Sequence, residues 1–297
     1  MRRTLRVCVV LVFATAQTTA LDSRFYLFTR ENRSRYIEIN RDNAKSHIKD
    51  DTQLRFVIHG WSESRTTNWY EDLTNALMSR YNCDVVQVDY AKVASEPYPI
   101  AVKSSVRIGE EIGSFIVFLT TQGVSLQNIL LVGHSLGGQV SGYAGEYIFR
   151  KTSKKLPQIT ALDPAGPLFQ GFFNINGKSL NKNDAEVVYV IHTDKSLFGQ
   201  RSTCGTVDVF PNGGSDQPGC PEKDDHWFCS HHRSFWYYIA AVENPNTLVA
   251  VKCESYDDFL AGKCANKRKI DIGGDLTQAD RGQYFLKISA EKPYRLV

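Results

Sequence analysis

The chain has 297 residues, of which 42% are hydrophobic and 23% are charged, and its formal net charge is +3. Arg2, Arg3 and Arg6 account for that charge, so the remainder is formally neutral. A neutral chain gives no support for a nucleic-acid partner, which would require a basic patch or stripe. No segment approaches the roughly 20 apolar residues that span a bilayer, so we expect no membrane anchor.

The first 20 residues have the organisation of a secretory signal peptide. The three arginines precede an apolar stretch from Val7 to Ala14, and Thr18 and Ala20 are the small residues of a cleavage site. We therefore predict a signal peptide at 1–20 and a secreted, extracellular protein. Residues 21–297 contain no repeat or linker, which favours a single domain. Asn32 lies in a glycosylation sequon, and the sequence leaves its modification open.

Apolar strand-like runs alternate with helical patterns after the signal. The predicted strands are Phe25–Thr29, Leu54–His59, Asp84–Asp89, Ile129–Val132, Ile159–Leu162 and Val187–His192. The predicted helices are Asn68–Tyr81, Ile100–Thr121, Gly138–Phe149 and Ser234–Val242. Such alternation predicts a mostly parallel sheet flanked by helices, with its chemistry at the carboxyl ends of the strands.

Six cysteines remain after the signal, and in an exported chain they favour disulfides. Cys220 with Cys229, and Cys253 with Cys264, are close in sequence and would close short loops. Cys83 and Cys204 remain, without a physical reason to pair them. No C-x-x-C pair or zinc-spaced cluster occurs, so we expect no metal and no cofactor.

Ser135 is the candidate nucleophile. It is the centre of the pentapeptide 133–137, Gly-His-Ser-Leu-Gly, behind an apolar strand-like run and ahead of a helical pattern. A strand, a tight turn and a helix expose a serine hydroxyl to a base, and flanking glycines let strand and helix cross closely. We call this strand–turn–helix unit around Ser135 the elbow, and the helix that follows Ser135 the elbow helix. An ordinary strand-to-helix turn is the alternative, and the surrounding pattern disfavours it.

Asp163 is the best candidate for the acid that orients the base. It directly follows the predicted strand Ile159–Leu162, the first strand after the elbow helix. It is followed by a rigid Pro-Ala-Gly-Pro turn. Asp89 and Asp194 also end strands and are its rivals. Asp89 precedes the elbow, which fits the usual chain order of this site less well.

The sequence contains seven histidines that could act as the base, and the positions of most of them in the chain argue against that role. His59 and His192 end strands and are expected to be buried and hydrogen-bonded, while His134 is expected to point away from the nucleophile. His226 lies in a short acidic loop. His231 and His232 are not separated by spacing, but the constraint of a loop tethered at Cys229 favours His231.

Two backbone N–H groups should face the oxyanion of the tetrahedral intermediate. One would come from Leu136, directly after the nucleophile. The other would come from a glycine-bearing loop after an earlier strand, and His59-Gly60-Trp61-Ser62 makes Trp61 the candidate donor.

Six motifs, in order, together resemble the pancreatic lipase superfamily over nearly the whole chain after the signal. They are Phe56-Val57-Ile58-His59-Gly60-Trp61, Val132-Gly133-His134-Ser135-Leu136-Gly137, Thr160-Ala161-Leu162-Asp163-Pro164-Ala165, Val190-Ile191-His192-Thr193-Asp194, Asp208-Val209-Phe210-Pro211-Asn212-Gly213-Gly214 and Cys229-Ser230-His231-His232-Arg233-Ser234. The resemblance implies an α/β-hydrolase fold. It implies a catalytic Ser135, Asp163 and His231, with Trp61 and Leu136 at the oxyanion hole, and it favours His231 over His232.

The chain departs from the family pattern in three ways. It has no room for the C-terminal β-sandwich of larger members, so we expect no colipase partner. Only eight residues separate Cys220 from Cys229, where triglyceride lipases carry a long lid, and this resembles the short-lid branch with secreted phospholipases A1 and some neutral lipases. Most of the family's calcium positions are missing between Phe172 and Asp184, so calcium is not carried over.

These features predict a secreted, monomeric ester hydrolase acting on lipids at a membrane or lipid-droplet surface. Trp227 and Phe228 would bind the lipid substrate, or alternatively pack the disulfide loop. A catalytically silent lipid-binding or storage protein on the same scaffold is one rival, and an enzyme for small soluble esters is another. Headgroup and positional preference stay open.

Overall fold

The computed structural model describes residues 22–49, 51–221 and 227–297. The predicted signal peptide at 1–20, most of the predicted short lid and His226 lie outside the described residues. Within these ranges no helix has both the length and the apolar character needed to cross a bilayer.

Eleven strands of the described chain form a single sheet. They are β1 Arg24–Thr29, β2 Asn32–Ile39, β3 Gln53–Ile58, β4 Cys83–Asp89, β5 Ile129–His134, β6 Gln158–Leu162, β7 Val187–Ile191, β8 Val207–Pro211, β9 Val249–Lys252, β10 Lys269–Asp271 and β11 Gly282–Leu286. The strand order is β10-β9-β11-β8-β7-β6-β5-β3-β4-β1-β2. Pairing is parallel from β4 to β11 and antiparallel at both edges. The predicted mostly parallel sheet is confirmed, and the topology is that of an α/β-hydrolase.

The described helices are α1 Ala44–His47, α2 Asn68–Arg80, α3 Ala91–Ala94, α4 Tyr98–Thr121, α5 Leu136–Thr152, α6 Cys229–Glu243 and α7 Tyr256–Leu260. All four predicted helices are present, but α6 begins five residues earlier than predicted. The predicted strands are also present. The sequence patterns missed β2 and β8 to β11, which are short, polar or at the edge of the sheet.

The helices cover both faces of the sheet, and each face has its own hydrophobic core. One core includes α4 and α5, and the other includes α2 and α6. Strand β5 is buried along its whole length between them, as expected for a central parallel strand. Burying a large apolar side chain contributes about 1.5–3 kcal/mol. The two cores therefore fix the carboxyl end of β5, where Ser135 follows.

The cysteine predictions are confirmed for two pairs. Cys220 is bonded to Cys229 and Cys253 to Cys264. Cys83 and Cys204, left unassigned by the sequence, are free thiols in the structure. The first disulfide joins the start of α6 to the chain segment that follows β8.

Candidate active site

Ser135 occupies a sharp turn between β5 and α5. Its backbone is at φ 53° and ψ −119°, a conformation that costs a non-glycine residue of the order of 1–3 kcal/mol. A Cβ at Gly133 would lie 2.3 Å from the Gly137 carbonyl oxygen, and one at Gly137 would lie 2.2 Å from the Ile58 carbonyl oxygen. Both flanking glycines are therefore needed for the close crossing that the sequence predicts.

Asp163 and His231 are joined by a short hydrogen bond. The Nδ1–H of His231 donates to Oδ2 of Asp163 at 2.6 Å, and both side chains are buried. The other carboxylate oxygen accepts from the backbone N–H of Thr193 at 2.8 Å and of Asp194 at 3.1 Å. Since Nδ1 carries the proton in this pair, Nε2 is the free basic nitrogen of a neutral ring. His231 lies on the first turn of α6 rather than in the predicted loop.

A cavity of about 720 Å³ brings several predicted residues together. Its wall includes Ser135, His231, Trp61 and Phe228. This size lies within the typical range of small-molecule sites, about 300–1,000 Å³. The same wall also includes side chains that were not predicted from the sequence, among them Glu63, Tyr98 and Phe198.

The two predicted oxyanion donors occupy suitable stretches of backbone. Leu136 is the first residue of α5, and the first N–H groups of a helix have no intrahelical acceptor. The side chain of Trp61 lines the cavity, and its indole N–H donates to the Glu96 carbonyl at 2.8 Å. That bond orients the loop after β3 at the cavity wall.

Phe228 and Trp227 have different surroundings. Phe228 stacks on Phe198 with ring centroids 4.4 Å apart and lines the cavity with Ser135. Trp227 is 63% exposed and lines a neighbouring depression with Trp236 instead. Only Phe228 is therefore placed beside the candidate nucleophile.

The expectation for His134 is wrong. Instead of pointing away, its ring lines the cavity, with its centroid 4.7 Å from that of His231. The rings of Trp69 and Phe235 pack edge-on against it and hold it there. Burial lowers the pKa of His134, so the ring is neutral near pH 7.

His232 also lines the cavity, stacked on Phe228. Burial and the neighbouring rings of His134 and His231 lower its pKa to about 3. Among the described residues, the Asp163 carboxylate has a hydrogen bond from His231 and none from His232. The structure thus separates two histidines that spacing left equivalent.

His59 and His192 are buried and hydrogen-bonded, as predicted. His59 donates from Nδ1 to the Gly60 carbonyl at 2.9 Å and accepts from the Tyr90 N–H at 3.1 Å. His192 donates from Nε2 to Asp208 at 2.8 Å. Both side chains support the strand ends around the site.

The two rival acids are engaged elsewhere. Asp89 accepts from the Ala91 N–H at 3.0 Å and lies 3.3 Å from Nε2 of His59. Asp194 contacts Asp163 through its backbone N–H, and burial together with the charge of Asp163 raises its pKa to about 6. Neither carboxylate forms a described hydrogen bond with His231.

Glu63 is a buried carboxylate that the motifs did not reveal. It accepts from the Gly60 N–H at 2.6 Å, from the indole N–H of Trp69 at 3.0 Å and from Nδ1 of His134 at 3.4 Å. Burial opposes its ionisation, but His134 and the Gly60 amide outweigh burial and hold its pKa at about 2. It therefore ties the loop of Trp61 to the residue that precedes Ser135. A glutamate three residues after a strand-ending glycine carries no sequence signal of its own.

Two groups of potential metal ligands occur in the described ranges. One is Asp163, Asp194 and His231, and the other is His192, Cys204 and Asp208. Hydrogen bonds account for the close approach in both groups. Burial raises the pKa of the Cys204 thiol, which disfavours the thiolate that would bind a metal.

Comparisons with known proteins identify the family. The Lipase family model matches residues 6–294. Lipase member H of Rattus norvegicus is 35% identical, covering 84% of this chain and 55% of that protein. Pancreatic triacylglycerol lipase of Oryctolagus cuniculus is 34% identical, covering 85% of this chain and 59% of that protein. The chain thus spans little more than half the length of these relatives.

Solved esterase structures are more distant. Carboxyl esterase 2 of Tuber melanosporum aligns with a TM-score of 0.33 and 19% identity, covering 49% of this chain and 42% of that chain, a similarity too low to carry an argument. The family match and the two lipases carry the assignment. The superfamily membership predicted from the motifs is confirmed, and the chain belongs to the Lipase family.

Proposed function

We propose that the protein is a secreted serine carboxylic ester hydrolase that releases fatty acids from lipids. The observation that carries this proposal is the hydrogen-bonded Asp163–His231 pair on the wall of the cavity to which the elbow presents Ser135. The apolar rings of Trp61, Phe198 and Phe228 on that wall suit a fatty acyl chain.

The proposed reaction begins with Nε2 of His231 taking the Ser135 proton as the hydroxyl oxygen attacks the ester carbonyl. Asp163 holds the ring in the required tautomer and stabilises the imidazolium. Collapse of the tetrahedral intermediate breaks the ester C–O bond, and His231 returns the proton to the alcohol. Water then repeats the sequence on the acyl-enzyme and releases the fatty acid.

The N–H groups of Trp61 and Leu136 would stabilise the oxyanion. Loss of one such donor typically costs about 3 kcal/mol of transition-state stabilisation. Glu63 would support the first donor by holding the preceding Gly60 amide, and the elbow would fix the second. No resident metal or cofactor enters this mechanism.

We infer the substrate class within lipids from the length of the segment between Cys220 and Cys229. Because a long lid restricts access to the active site, a segment of only eight residues supports the admission of polar headgroups and so a phospholipase A1-like activity or a short-lid lipase. The related pancreatic triacylglycerol lipase points to neutral lipid as the alternative headgroup class. We further propose secretion through the signal at 1–20, action as a monomer and no colipase partner.

A silent lipid-binding protein is the competing proposal. It would have the same cavity and fold but no turnover. Because Ser135, Asp163 and His231 are all present in the sequence and the last two are hydrogen-bonded to each other, we favour catalysis over storage. Fold alone does not decide this, so the distinction requires a turnover measurement.

Fatty-acid release from triolein, phosphatidylcholine and a galactolipid tests the proposal. The wild-type protein should release fatty acid from at least one substrate, and Ser135→Ala should lose at least about 10⁴-fold in rate. Ser153→Ala is a matched control, because this exposed serine also has positive φ but lies at the far end of α5. Equal release by wild type and Ser135→Ala would remove the enzyme assignment.

A further inference from the structure

More than half of the large hydrophobic side chains that are exposed in the described chain, seven of twelve, lie on segments that contribute residues to the Ser135 cavity. These segments are the first turn of α4, residues 167–177, the position before Phe198, and residues 227–228. Scattered exposed hydrophobic residues are ordinary, but a concentration at one site marks an interaction surface.

The most exposed members are Phe172 and Phe173. They are 98% and 72% exposed and lie on a single 3₁₀ turn, Gly171–Phe173. Their rings pack edge to face with centroids 5.8 Å apart, so they form one apolar tip. Residues 167–177 contain no charged side chain, so burying this tip in an apolar medium would not require the burial of a charge.

The tip is held by hydrogen bonds at its base. The side chain of Asn174 donates to the Phe169 carbonyl at 3.0 Å, and the Ile175 N–H donates to the Leu168 carbonyl at 3.2 Å. Asn176 donates to the carbonyl of Val102 on α4 at 2.9 Å. The two phenylalanines are therefore presented outward by a braced loop.

The same loop is connected directly to the cavity. It begins at Pro167, which lines the cavity and accepts a hydrogen bond of 2.9 Å from the hydroxyl of Tyr98, another cavity residue. Its Gln170 accepts from the N–H of Arg201, just beyond the cavity residue Phe198. An apolar medium that receives the tip would thus lie against the segments that form the cavity.

We propose that Phe172 and Phe173 insert into the surface of the lipid aggregate that contains the substrate. This rests on the proposed function. A lipid surface is favoured over a protein partner because the tip offers two apolar rings and no charge for specific pairing, and because it adjoins the cavity assigned to acyl chains. Insertion at this point would place the cavity against the lipid.

The test measures binding to large unilamellar vesicles of phosphatidylcholine by sedimentation. All proteins carry Ser135→Ala, so that binding is recorded without lipid breakdown and independently of whether the chain is an enzyme. Phe172→Ser/Phe173→Ser should reduce the vesicle partition coefficient about 30-fold, because two apolar rings no longer enter the lipid. Phe172→Trp/Phe173→Trp should bind within about threefold of the parent, since indole rings favour membrane interfaces.

Leu260→Ser is the matched control, because Leu260 is 54% exposed on α7, away from the cavity segments. It should leave vesicle binding unchanged, and thermal unfolding should show that each variant is folded. Unchanged binding by the double serine variant would overturn the proposal. The proposal would also be overturned if the double serine variant changed from dimer to monomer in sedimentation velocity while its vesicle binding stayed the same. That result would assign the tip to contact with a second copy of the chain.

Discussion

Replacing Gly199 by alanine should disrupt the site without altering a proposed catalytic residue. A Cβ at this position would lie 2.5 Å from Oδ1 and 2.7 Å from Oδ2 of Asp163, closer than Cβ atoms normally approach any atom. The loop has little freedom to withdraw. The Gly199 N–H donates to the Asp194 carbonyl at 2.8 Å, and the next N–H, of Gln200, donates to the Pro164 carbonyl at 2.8 Å.

The size of the effect follows from these distances. Ordinary van der Waals contact begins at 3.4 Å, so the carboxylate and the new methyl group must separate by roughly 0.9 Å. Asp163 cannot move that far and keep its 2.6 Å bond to His231. A misplacement of about 1 Å in a catalytic group typically costs about 100-fold in rate. We therefore expect kcat to fall about 100-fold, with KM changed by less than about threefold.

Steady-state hydrolysis of dissolved p-nitrophenyl butyrate is the appropriate assay, because it separates chemistry from lipid binding. Gly262→Ala serves as control, since its Cβ would meet no atom within 4 Å and its φ of +71° adds backbone strain that Gly199→Ala does not, so the control tests whether strain without a clash lowers activity. The control should keep its activity. Wild-type kcat in a folded Gly199→Ala protein would refute the reasoning, because Asp163 would then not need its observed position.

Three further substitutions test other parts of the account. His231→Ala should lower kcat on the same ester by at least about 10³-fold because it removes the proposed base, whereas His232→Ala should stay within about tenfold. Glu63→Gln should lower kcat about tenfold with little change in KM, because an amide whose oxygen accepts from Gly60 and His134 must turn its NH2 group toward the indole N–H of Trp69, from which the carboxylate also accepts. Asp184→Asn should stabilise the protein at pH 8 by about 2–4 kcal/mol and give no such gain at pH 4, as measured by urea unfolding. Burial raises the pKa of Asp184 to about 7. The folded state therefore keeps a proton that the unfolded chain loses above about pH 4, and the free energy of unfolding falls as pH rises from about 4 to 7.

Each of these tests has an outcome that counts against its premise. Equal losses in His231→Ala and His232→Ala would leave the base unassigned. For Glu63, the exposed Glu71→Gln on α2 is the control, and a change in KM alone would show that Glu63 does not hold the oxyanion loop. If Asp184→Asn changed the free energy of unfolding equally at both pH values, folding would not raise the pKa of this carboxyl group.

The elbow and the acid were accessible from the sequence because their signals are local. Gly133 and Gly137 flank Ser135 at fixed spacing, and Asp163 directly follows an apolar strand. The two disulfides that close short loops could also be predicted from the sequence. Strands β9 to β11 were not predicted, because runs of only three to five residues show little periodicity.

Other features depend on contacts between distant segments. The orientation of His134 is set by Trp69, Phe235 and Glu63, none of which is a sequence neighbour. Because α6 begins at Cys229, His231 lies on a helix and not in the loop that the sequence predicted. Likewise, only the fold shows that Gly199 passes against Asp163. Patterns of spacing cannot predict such packing.

Covalent labelling by a fluorophosphonate tests the central claim most directly, because the reagent reacts with a serine only when a neighbouring base activates it. Mass spectrometry of the labelled protein should show one phosphonyl group per chain, located on Ser135, with hydrolysis lost in proportion to labelling. His231→Ala should label at least about 100-fold more slowly. Labelling at another residue, or full hydrolytic activity after stoichiometric modification of Ser135, would contradict the account.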